Sequence, residues 1–424
     1  MRIIHTADLH LGQVIYQNYD RSDEHRHYFR QLERWCTDEQ PDALLVSGDV
    51  FDIQQPSATV KKAFTEYFVR LHQLCPAMTI VIVAGNHDSA SRMQSERAVW
   101  RLANTHLVGI APALERTEGP DGWQDKYIIR LDSGFIVALP YMTGDRKRLI
   151  QSILDRVADQ NPEGKPVVMT GHLAVSGMDP KGHGFEVGKI KTQPVESLGT
   201  GYDYAALGHI HKPQTIGRQA DASCLEVTYP AGVIRYAGSA LHVSSDEHFP
   251  HTVSVVDLTG HGDDVHIRQL RIDELRHFYT LPLDGTSFTQ EEAALKAVKR
   301  FADTEGKGYF CLRMDYRTAL SSNFHQKIYD LLAPYADEVR YNPKICWTGR
   351  STTNDTETEK PLFEVAELQQ MTDPLEFIAR TRDQYPELDW EDLRSAFQEV
   401  NEELQRMAEE EKAAAIAKKQ KKQP

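Results

Sequence analysis

The sequence predicts a layered α/β domain that is followed by a small α+β unit and by C-terminal helices. Short apolar runs alternate with amphipathic stretches from residue 1 to about 215, which is typical of a layered α/β domain. From about 250 to 345 the pattern changes to a mixture of short strands and helices. Residues 349–361 are then polar and lack apolar anchors, and a helical pattern follows them.

Apolar runs in the first half of the chain are predicted strands. They are Ile3-Ile4, Ala43–Val46, Ile80–Val83, Ile136–Leu139, Val167–Met169 and Ala205–Leu207. Between these runs, residues 22–39 and 59–74 place apolar side chains at helical spacing. The alternation therefore predicts helices that cover a sheet.

The chain divides into four predicted segments. The first domain is residues 1–247, the second is residues 248–347, a linker spans 348–361, and helices occupy 362–424. Strand patterns in the second domain cover 251–258, 265–272 and 309–316, and helical patterns cover 290–301 and 322–335.

Composition excludes several classes of protein. The chain has 424 residues, of which 40% are hydrophobic and 26% are charged, as in ordinary globular proteins. No run of 18 apolar residues occurs and the first residues lack an apolar signal segment, so we expect a cytoplasmic protein without membrane spans. The five cysteines never form a CxxC pair, which argues against a zinc ribbon or a disulfide framework.

The charge distribution argues against an extended basic face for nucleic acid. The net charge is −14, and residues 361–410 contain 14 acidic and 4 basic side chains. A net basic balance is confined to the last 14 residues, which hold five lysines and one glutamate. Any affinity for DNA must therefore rest on local patches, on metal ions or on a partner.

The C-terminal segment carries a coiled-coil-type seam. Its apolar side chains follow spacings of three and four residues, and Asp389 is a plausible N-cap. The seam consists of Trp390, Leu393, Phe397, Val400, Leu404 and Met407. Such a helix packs either on its own chain or on helices of another protein. The narrow stripe after a polar linker favours the second interpretation.

Five of the apolar runs are followed by side chains that can bind metals. The residues are Asp8 and His10, Asp49, Asn86 with His87 and Asp88, His172, and His209 with His211. Each has an ordinary explanation when taken alone: a helix cap, a turn residue or a buried histidine. Carboxyl ends of strands in open α/β sheets collect ligand-binding residues at one edge. Five successive strand ends therefore favour a common site.

The residue types indicate the class of metal. The candidate ligands are Asp8, His10, Asp49, Asn86, His172, His209 and His211. Carboxylate, amide and imidazole ligands without cysteine suit manganese or iron better than structural zinc. Seven ligands are too many for one ion and suffice for two if a carboxylate bridges. Two ions about 3.5–4 Å apart would promote in-line displacement at phosphorus.

The motifs "DLH", "GDVFD", "GNHD", "GH" and "GHIH", in that order, resemble those of the calcineurin-like metallophosphoesterase superfamily. The resemblance implies a four-layer sandwich of two mixed β-sheets flanked by helices, with a small α+β capping domain and C-terminal helices. It implies that one ion is held by Asp8, His10, Asp49 and His211. The other ion would be held by Asp49, Asn86, His172 and His209, so that Asp49 bridges the two.

The resemblance also implies roles for residues that are not ligands. His87 would stabilise the transition state and protonate the leaving oxygen. Asp52 would hold the tautomer of His87, and Asp88 would be structural, holding the loop.

Longer segments of the sequence resemble one particular family within this superfamily. "MRIIHTADLHLGQ", "SGDVFDIQQPS", "AGNHDS" and "ALGHIHKPQ" resemble the SbcD family of bacterial nuclease subunits, and "RYAGSALHVSSDE" is similar to the segment that follows in that family. Protein phosphatases instead have GDxxDRG at the second motif. The resemblance implies a manganese-dependent 3′-to-5′ exonuclease and endonuclease, which acts on DNA ends and hairpins in repair, replication and recombination.

The same resemblance implies an SbcC-type coiled-coil ATPase as partner, gripped by the C-terminal seam, and a homodimer within a heterotetramer. Candidate DNA contacts are Arg92, Lys181, Lys189 and Lys191. The histidines at 183, 242, 248 and 251 are interpreted as structural. The alternatives are a stand-alone phosphatase or phosphodiesterase with a small substrate, and a non-catalytic adaptor. The C-terminal extension argues against the first alternative, and the intact ligand set argues against the second.

Overall fold

A computed structural model describes residues 1–349, except for 17–18, 113–121, 145, 181–191, 218–224, 244–246, 248, 305–307 and 336–337. Residues 1–350 form one compact unit, and residues 351–424 are assigned to a second unit. The predicted seam from Trp390 to Met407 lies outside the described residues.

Strands and helices are numbered along the chain. The strands are β1 (Arg2–Thr6), β2 (Val14–Ile15), β3 (Tyr19–Asp20), β4 (Ala43–Ser47), β5 (Thr79–Val83), β6 (Thr105–Val108), β7 (Ile128–Leu131), β8 (Gly134–Leu139), β9 (Val167–His172), β10 (Tyr204–Gly208), β11 (Gln214–Thr215), β12 (Glu226–Tyr229), β13 (Val233–Tyr236), β14 (Thr252–Leu258), β15 (Val265–Arg271), β16 (His277–Leu281), β17 (Gly308–Asp315), β18 (Val339–Tyr341) and β19 (Cys346–Thr348). The α-helices are α1 (Ser22–Glu39), α2 (Ala58–Leu74), α3 (Ala90–Trp100), α4 (Lys147–Asp159), α5 (Glu291–Thr304) and α6 (Phe324–Leu332).

Two mixed sheets form the centre of the fold. The first has the order β12-β15-β14-β1-β4-β5-β6, and the second has the order β11-β13-β10-β9-β8-β7. Strands β1, β4, β5 and β6 are parallel, as are β8, β9, β10 and β13. The parallel strands are almost fully buried because both faces of each sheet are covered, which explains their continuous apolar runs.

The alternation of side chains along the strands produces the layers. Leu44 of β4 packs in a core with Phe29 of α1 and Phe68 of α2. Its neighbour Leu45 points to the opposite face and belongs to the core that includes Met169 of β9. Helix α4 contributes further apolar side chains to that core. The predicted four-layer α/β sandwich is confirmed.

The predicted domain boundary at residue 247 is wrong for the segment from 252 to 271. Strand β14 pairs antiparallel with β1, and β15 pairs with β14, so both complete the first sheet. Their sequence pattern predicts strands correctly but carries no information about which sheet they join. An antiparallel extension of a mostly parallel sheet is common in α/β folds.

The remainder of the second predicted domain forms a smaller α+β layer structure. Strands β16, β17, β18 and β19 form a four-stranded parallel sheet. Helices α5 and α6 cover it through a separate apolar core that includes Phe301, Phe310 and Ile328. Among the described residues, Cys36, Cys75, Cys311 and Cys346 are free thiols, and no helix is long and apolar enough to cross a membrane.

Candidate metal centre

The chain turns sharply where the predicted ligands leave their strands. Asp8, His10, Asp49 and His209 have positive φ angles of 51°, 45°, 47° and 89°. Seven non-glycine residues in the described part of the chain share this conformation, so more than half of them are predicted ligands. Each such residue costs about 1–3 kcal/mol and persists only where the surroundings enforce it. Backbone strain is therefore concentrated at this edge of the sheets.

Glycines next to the ligands allow the strand ends to approach one another. A Cβ atom on Gly48 would lie 2.2 Å from His172 Nδ1, and one on Gly85 would lie 2.0 Å from Asp49 Oδ1. A side chain at either position would displace a candidate ligand. Both glycines are required by close packing, and Gly48 also has a positive φ of 87°.

Asp8, His10 and His211 form the first ligand cluster. One ligand atom from each lies within 4.8 Å of the others, and all three residues are buried. The Asp8 carboxylate is held by the main-chain N–H of His209, which donates at 3.0 Å and 3.1 Å to its two oxygens. The rings of His10 and His211 lie edge to face, with their centroids 5.4 Å apart.

Asp49, His172 and His209 form the second cluster, again with ligand atoms within 4.8 Å. His172 Nε2 is 3.3 Å from Asp49 Oδ2 and 3.0 Å from Asn86 Oδ1. Its other ring nitrogen, Nδ1, donates to the main-chain oxygen of Ser47 at 2.8 Å. That bond directs Nε2 at the cluster, as is usual for metal-binding histidines. Each cluster contains residues that the resemblance assigns to the same ion, and both the division of the ligands between two ions and the bridging role of Asp49 stay predictions.

The environment of His10 tests whether a metal fits. His10 is only 3% exposed, and neither ring nitrogen has a hydrogen-bond partner among the described residues. The nearest charged group is an Asp52 carboxylate oxygen, 3.4 Å from Nδ1. A buried imidazole without partners is costly unless it binds a cation. With carboxylates and further imidazoles around it, the donor set fits divalent metal ions.

The pKa shifts of the ligand residues also favour the binding of cations. Burial lowers the pKa of His172, but the neighbouring Asp49 carboxylate more than compensates and raises it to about 9. Burial alone would raise the pKa of Asp49, yet the charge of His172 holds it below the usual range. Burial raises the pKa of Asp8. Two buried carboxylates therefore share an edge of the sheets that attracts cations.

His87 lies beside the first cluster, with its ring centroid 5.1 Å from that of His10. Its Nδ1 donates to the main-chain oxygen of Asp52 at 2.7 Å. The expectation that Asp52 holds His87 is thus right about the residue but wrong about the group, because the hydrogen bond is to the carbonyl. The carboxylate of Asp52 instead faces His10. The carbonyl bond fixes the tautomer, and a carboxylate oxygen of Asp52 lies within 4.8 Å of a ring nitrogen of both His10 and His87.

Asp88 has the structural role that the sequence predicts. Its carboxylate accepts hydrogen bonds from the main-chain N–H groups of Gly85, Val50 and Phe51, at 2.8, 3.1 and 2.9 Å. Burial, followed by repulsion from Asp49, raises the pKa of Asp88 to about 6. The residue ties the loop that carries Asn86 and His87 to the loop that carries Asp49.

Glu247 is a site residue that reasoning from the sequence misses. His211 Nδ1 donates to Glu247 Oε1 at 3.2 Å, and Glu247 is only 1% exposed. Carboxylates that accept from a ligating histidine fix its orientation and raise its basicity. The signal is the final residue of "RYAGSALHVSSDE", but no strand-end pattern distinguishes it from a surface glutamate.

Comparison with known proteins identifies the class. The family model for calcineurin-like phosphoesterases matches residues 1–213, half of the chain, and the chain belongs to that family. The family and the two ligand clusters together define a metal-dependent phosphoesterase.

Individual relatives are more specific than the family model. The chain is 28% identical over 334 residues to the SbcD subunit of the nuclease SbcCD from Rhodobacter capsulatus, covering 71% of this chain and 76% of the relative. It is 30% identical over 271 residues to the protein of the same name from Escherichia coli K12, covering 58% of this chain and 62% of the relative. The alignment thus spans less than two thirds of the E. coli protein's own length.

Solved structures are more distant. A dimetal phosphatase from Danio rerio is 13% identical with a TM-score of 0.35, covering 64% of this chain and 99% of that chain. Purple acid phosphatase PPD1 from yellow lupin is 14% identical with a TM-score of 0.37, covering 63% of this chain and 51% of that chain. Similarities of this size carry no argument about function.

The first prediction concerns Glu247. Glu247→Gln keeps the shape of the side chain but removes its charge, so His211 becomes a weaker ligand. We expect the affinity for the Mn²⁺ ion that His211 would hold to fall by about 10–100-fold. Calorimetric titration of chelator-treated protein measures it. The matched control is Glu226→Gln, which alters an exposed carboxylate that pairs with His266. Equal affinities in wild type and Glu247→Gln would exclude the role of Glu247.

The second prediction concerns protons. His172 is protonated below its pKa of about 9, and it must be neutral to bind a metal through Nε2. Metal binding between pH 6.5 and 8 should therefore release a proton, and the apparent affinity should rise about tenfold per pH unit. Calorimetry in two buffers of different ionisation enthalpy counts the released protons. Affinity that is independent of pH in this range would contradict the assignment.

Proposed function

We propose that the protein is a metal-dependent DNA nuclease subunit that cleaves DNA ends and hairpins as a 3′-to-5′ exonuclease and endonuclease. The observation that carries the proposal is the pair of ligand clusters at the carboxyl ends of the strands, in which every residue except His209 is buried. The names of the relatives support the substrate class, because each is called a nuclease subunit. We propose DNA repair, replication and recombination in the cytoplasm as its setting.

The residues for two metal ions are the two clusters, completed by Asn86. Asp8, His10 and His211 would hold one ion and Asn86, His172 and His209 the other, with Asp49 between them. When bound, two divalent ions, which we propose to be manganese, supply an activated water and neutralise the charge on the phosphoryl oxygens. The chain's own contribution is to hold these ligands in fixed orientations before the substrate arrives.

His87 is the proposed general acid. Because Nδ1 donates to the Asp52 carbonyl, Nε2 is the atom that can exchange a proton with the leaving oxygen. His87 is partly exposed, as are Asn86 and His209, whereas Asp8, Asp49 and His172 are buried. The phosphodiester would therefore approach from the side of His87.

Arg92 is the proposed DNA contact within the described residues. It lines a small surface pocket of about 100 Å³ beside the loop of His87, together with Phe51, Lys61 and Ser89. A guanidinium there would bind a backbone phosphate next to the scissile one. The other candidates, Lys181, Lys189 and Lys191, lie outside the described residues.

The partner is proposed to be an SbcC-type coiled-coil ATPase. The support is the heptad-like seam from Trp390 to Met407 together with the names of the relatives, which are subunits of a complex. A partner that supplies phosphate contacts would also explain why the chain itself is acidic. We further propose a homodimer within a heterotetramer.

The third prediction tests the nuclease directly. His87→Ala should reduce cleavage of a hairpin DNA with Mn²⁺ by about 10²–10⁴-fold, because it removes the proton donor. Both metal ions should remain bound, as measured by elemental analysis. The control is His266→Ala, a partly exposed histidine in β15. Loss of metal from the His87 variant would mean that His87 is a ligand. Hydrolysis of nucleotides without hairpin cleavage, even with the partner present, would favour a small-substrate phosphodiesterase.

The fourth prediction concerns the partner. Deletion of residues 362–410 removes the seam and should abolish association with an SbcC-type ATPase while the number of bound metal ions stays unchanged. Gel filtration of the mixed proteins and elemental analysis measure the two properties. A milder variant, Phe397→Asp with Leu404→Asp, should act in the same way because it places charges in the seam. Retained association in both variants would contradict the proposed interface.

A further inference from the structure

Tyr141 lies at the edge of the sheets that carries the candidate ligands. Strand β8 ends at Leu139, and Tyr141 follows after Pro140. Because β8 runs parallel to β9, its carboxyl end lies at the same edge as His172. The strand-end pattern in the sequence passes over Tyr141, since a phenol is not among the usual ligands of manganese.

The Tyr141 ring contacts two candidate ligands of the second cluster. Its centroid is 6.1 Å from that of His172 and 6.2 Å from that of His209. The two imidazoles also contact each other, with their centroids 5.1 Å apart. These separations lie in the range in which aromatic rings pack favourably. The three rings thus form one packed group, so that rotation of one imidazole would disturb its neighbours.

The main chain of Tyr141 is tied to the loop that carries a further candidate ligand. Its N–H donates to the main-chain oxygen of Ala84 at 2.7 Å, and Ala84 lies two residues before Asn86. Pro140 restricts the backbone just before this hydrogen bond, because its ring fixes φ. Tyr141 therefore connects this loop with the two histidines of the packed group.

His209 is the partly exposed member of the second cluster, whereas Asp49 and His172 are buried. Its φ of 89° is unfavourable for a residue with a side chain, and its main-chain N–H donates to the Asp8 carboxylate. Tyr141 is partly exposed as well, so the two rings meet at the surface of the site. The backbone of His209 is thus held by Asp8, and packing against Tyr141 restricts its ring.

We propose that Tyr141 is a positioning residue of the two-metal centre, whose aromatic ring holds the imidazole of His209 in the orientation that binds the second ion. The inference rests on the proposed two-ion centre, in which Asn86, His172 and His209 hold that ion with Asp49. Loss of a group that supports a ligand typically lowers metal affinity by about 10–100-fold. The ring is sufficient for this role, and the hydroxyl of Tyr141 is not required.

The experiment measures Mn²⁺ binding by the full-length chain in the absence of DNA. Chelator-treated protein is titrated with Mn²⁺ in a calorimeter. Electron paramagnetic resonance then distinguishes isolated ions from close pairs, which couple magnetically. Tyr141→Leu should lower the affinity for one Mn²⁺ ion by about 10–100-fold and leave that for the other unchanged. The signal of coupled ions should weaken accordingly at equal Mn²⁺ concentration.

A second variant separates the ring from the hydroxyl. Tyr141→Phe keeps the ring and should bind both ions as wild type does. The matched control is Tyr316→Leu, which alters an exposed tyrosine of the smaller α+β layer structure and should also bind as wild type does. Far-UV circular dichroism verifies the fold of each variant. Equal affinities in wild type and Tyr141→Leu would overturn the proposal, as would equal losses in Tyr141→Leu and Tyr141→Phe.

A double-mutant cycle tests whether Tyr141 acts through His209. His209→Gln should itself weaken the binding of the same ion, and adding Tyr141→Leu should cause little further loss, because the positioned imidazole is then absent. Fully additive losses would mean that Tyr141 contributes only general packing, which contradicts the proposed role. If wild type itself bound fewer than two ions, the two-ion centre would fail together with this inference. The wild-type titration therefore tells the two failures apart.

Discussion

The constraint on which the rest of the structure depends is the burial of Asp8 and Asp49 side by side between two sheets. A buried carboxylate is tolerated only when cations or hydrogen bonds compensate its charge. The protein supplies part of that compensation through His172, whose pKa rises to about 9 next to Asp49. The remainder is left to groups that the chain does not contain, as the unpartnered ring of His10 indicates. Metal binding and the stability of this edge therefore both depend on how the charges of the two buried carboxylates are compensated.

The fold brings strand ends from both sheets to one edge, where their side chains surround the two carboxylates. Strands β1, β4 and β5 contribute from the first sheet, and β9 and β10 contribute from the second. The sheets approach so closely that Gly48 has no room for a side chain next to His172. Ligands from two sheets are in this way fixed relative to each other by the core between them. Loops alone would not hold such a constellation rigidly.

The sequence predicts most of this fold because parallel strands buried on both faces read as continuous apolar runs. The same property places the ligands, since Asp49 and His172 each come directly at the end of such a run. Prediction from the sequence fails for the pairing of β14 and β15. Their pattern identifies them as strands but contains no information about the partner strand. Prediction also fails for Glu247, which approaches His211 through tertiary folding over 36 residues.

Main-chain groups are the other limit on prediction from sequence. The Asp52 carbonyl that orients His87 is available at every residue, so side-chain identity gives no indication of it. A pattern can identify the residue at the right place in the loop, as it does here, and still assign the wrong atom. The distinction matters chemically, because the carbonyl fixes the orientation of the imidazole while the Asp52 carboxylate lies 3.4 Å from His10 Nδ1.

Buried charged groups extend the influence of the centre into the smaller α+β layer structure. Arg21 and Glu24, at the start of α1, are each only 2% exposed and pair with each other. Arg21 also donates to the main-chain oxygen of His242, and Glu24 accepts from Arg276 and from Tyr309 of β17. A buried pair of this kind contributes little to net stability, but breaking it leaves an uncompensated charge. The network therefore acts mainly on geometry: it fixes where β16 and β17 lie relative to the loop that carries Glu247. Through that loop, the position of the smaller sheet and the orientation of His211 become linked.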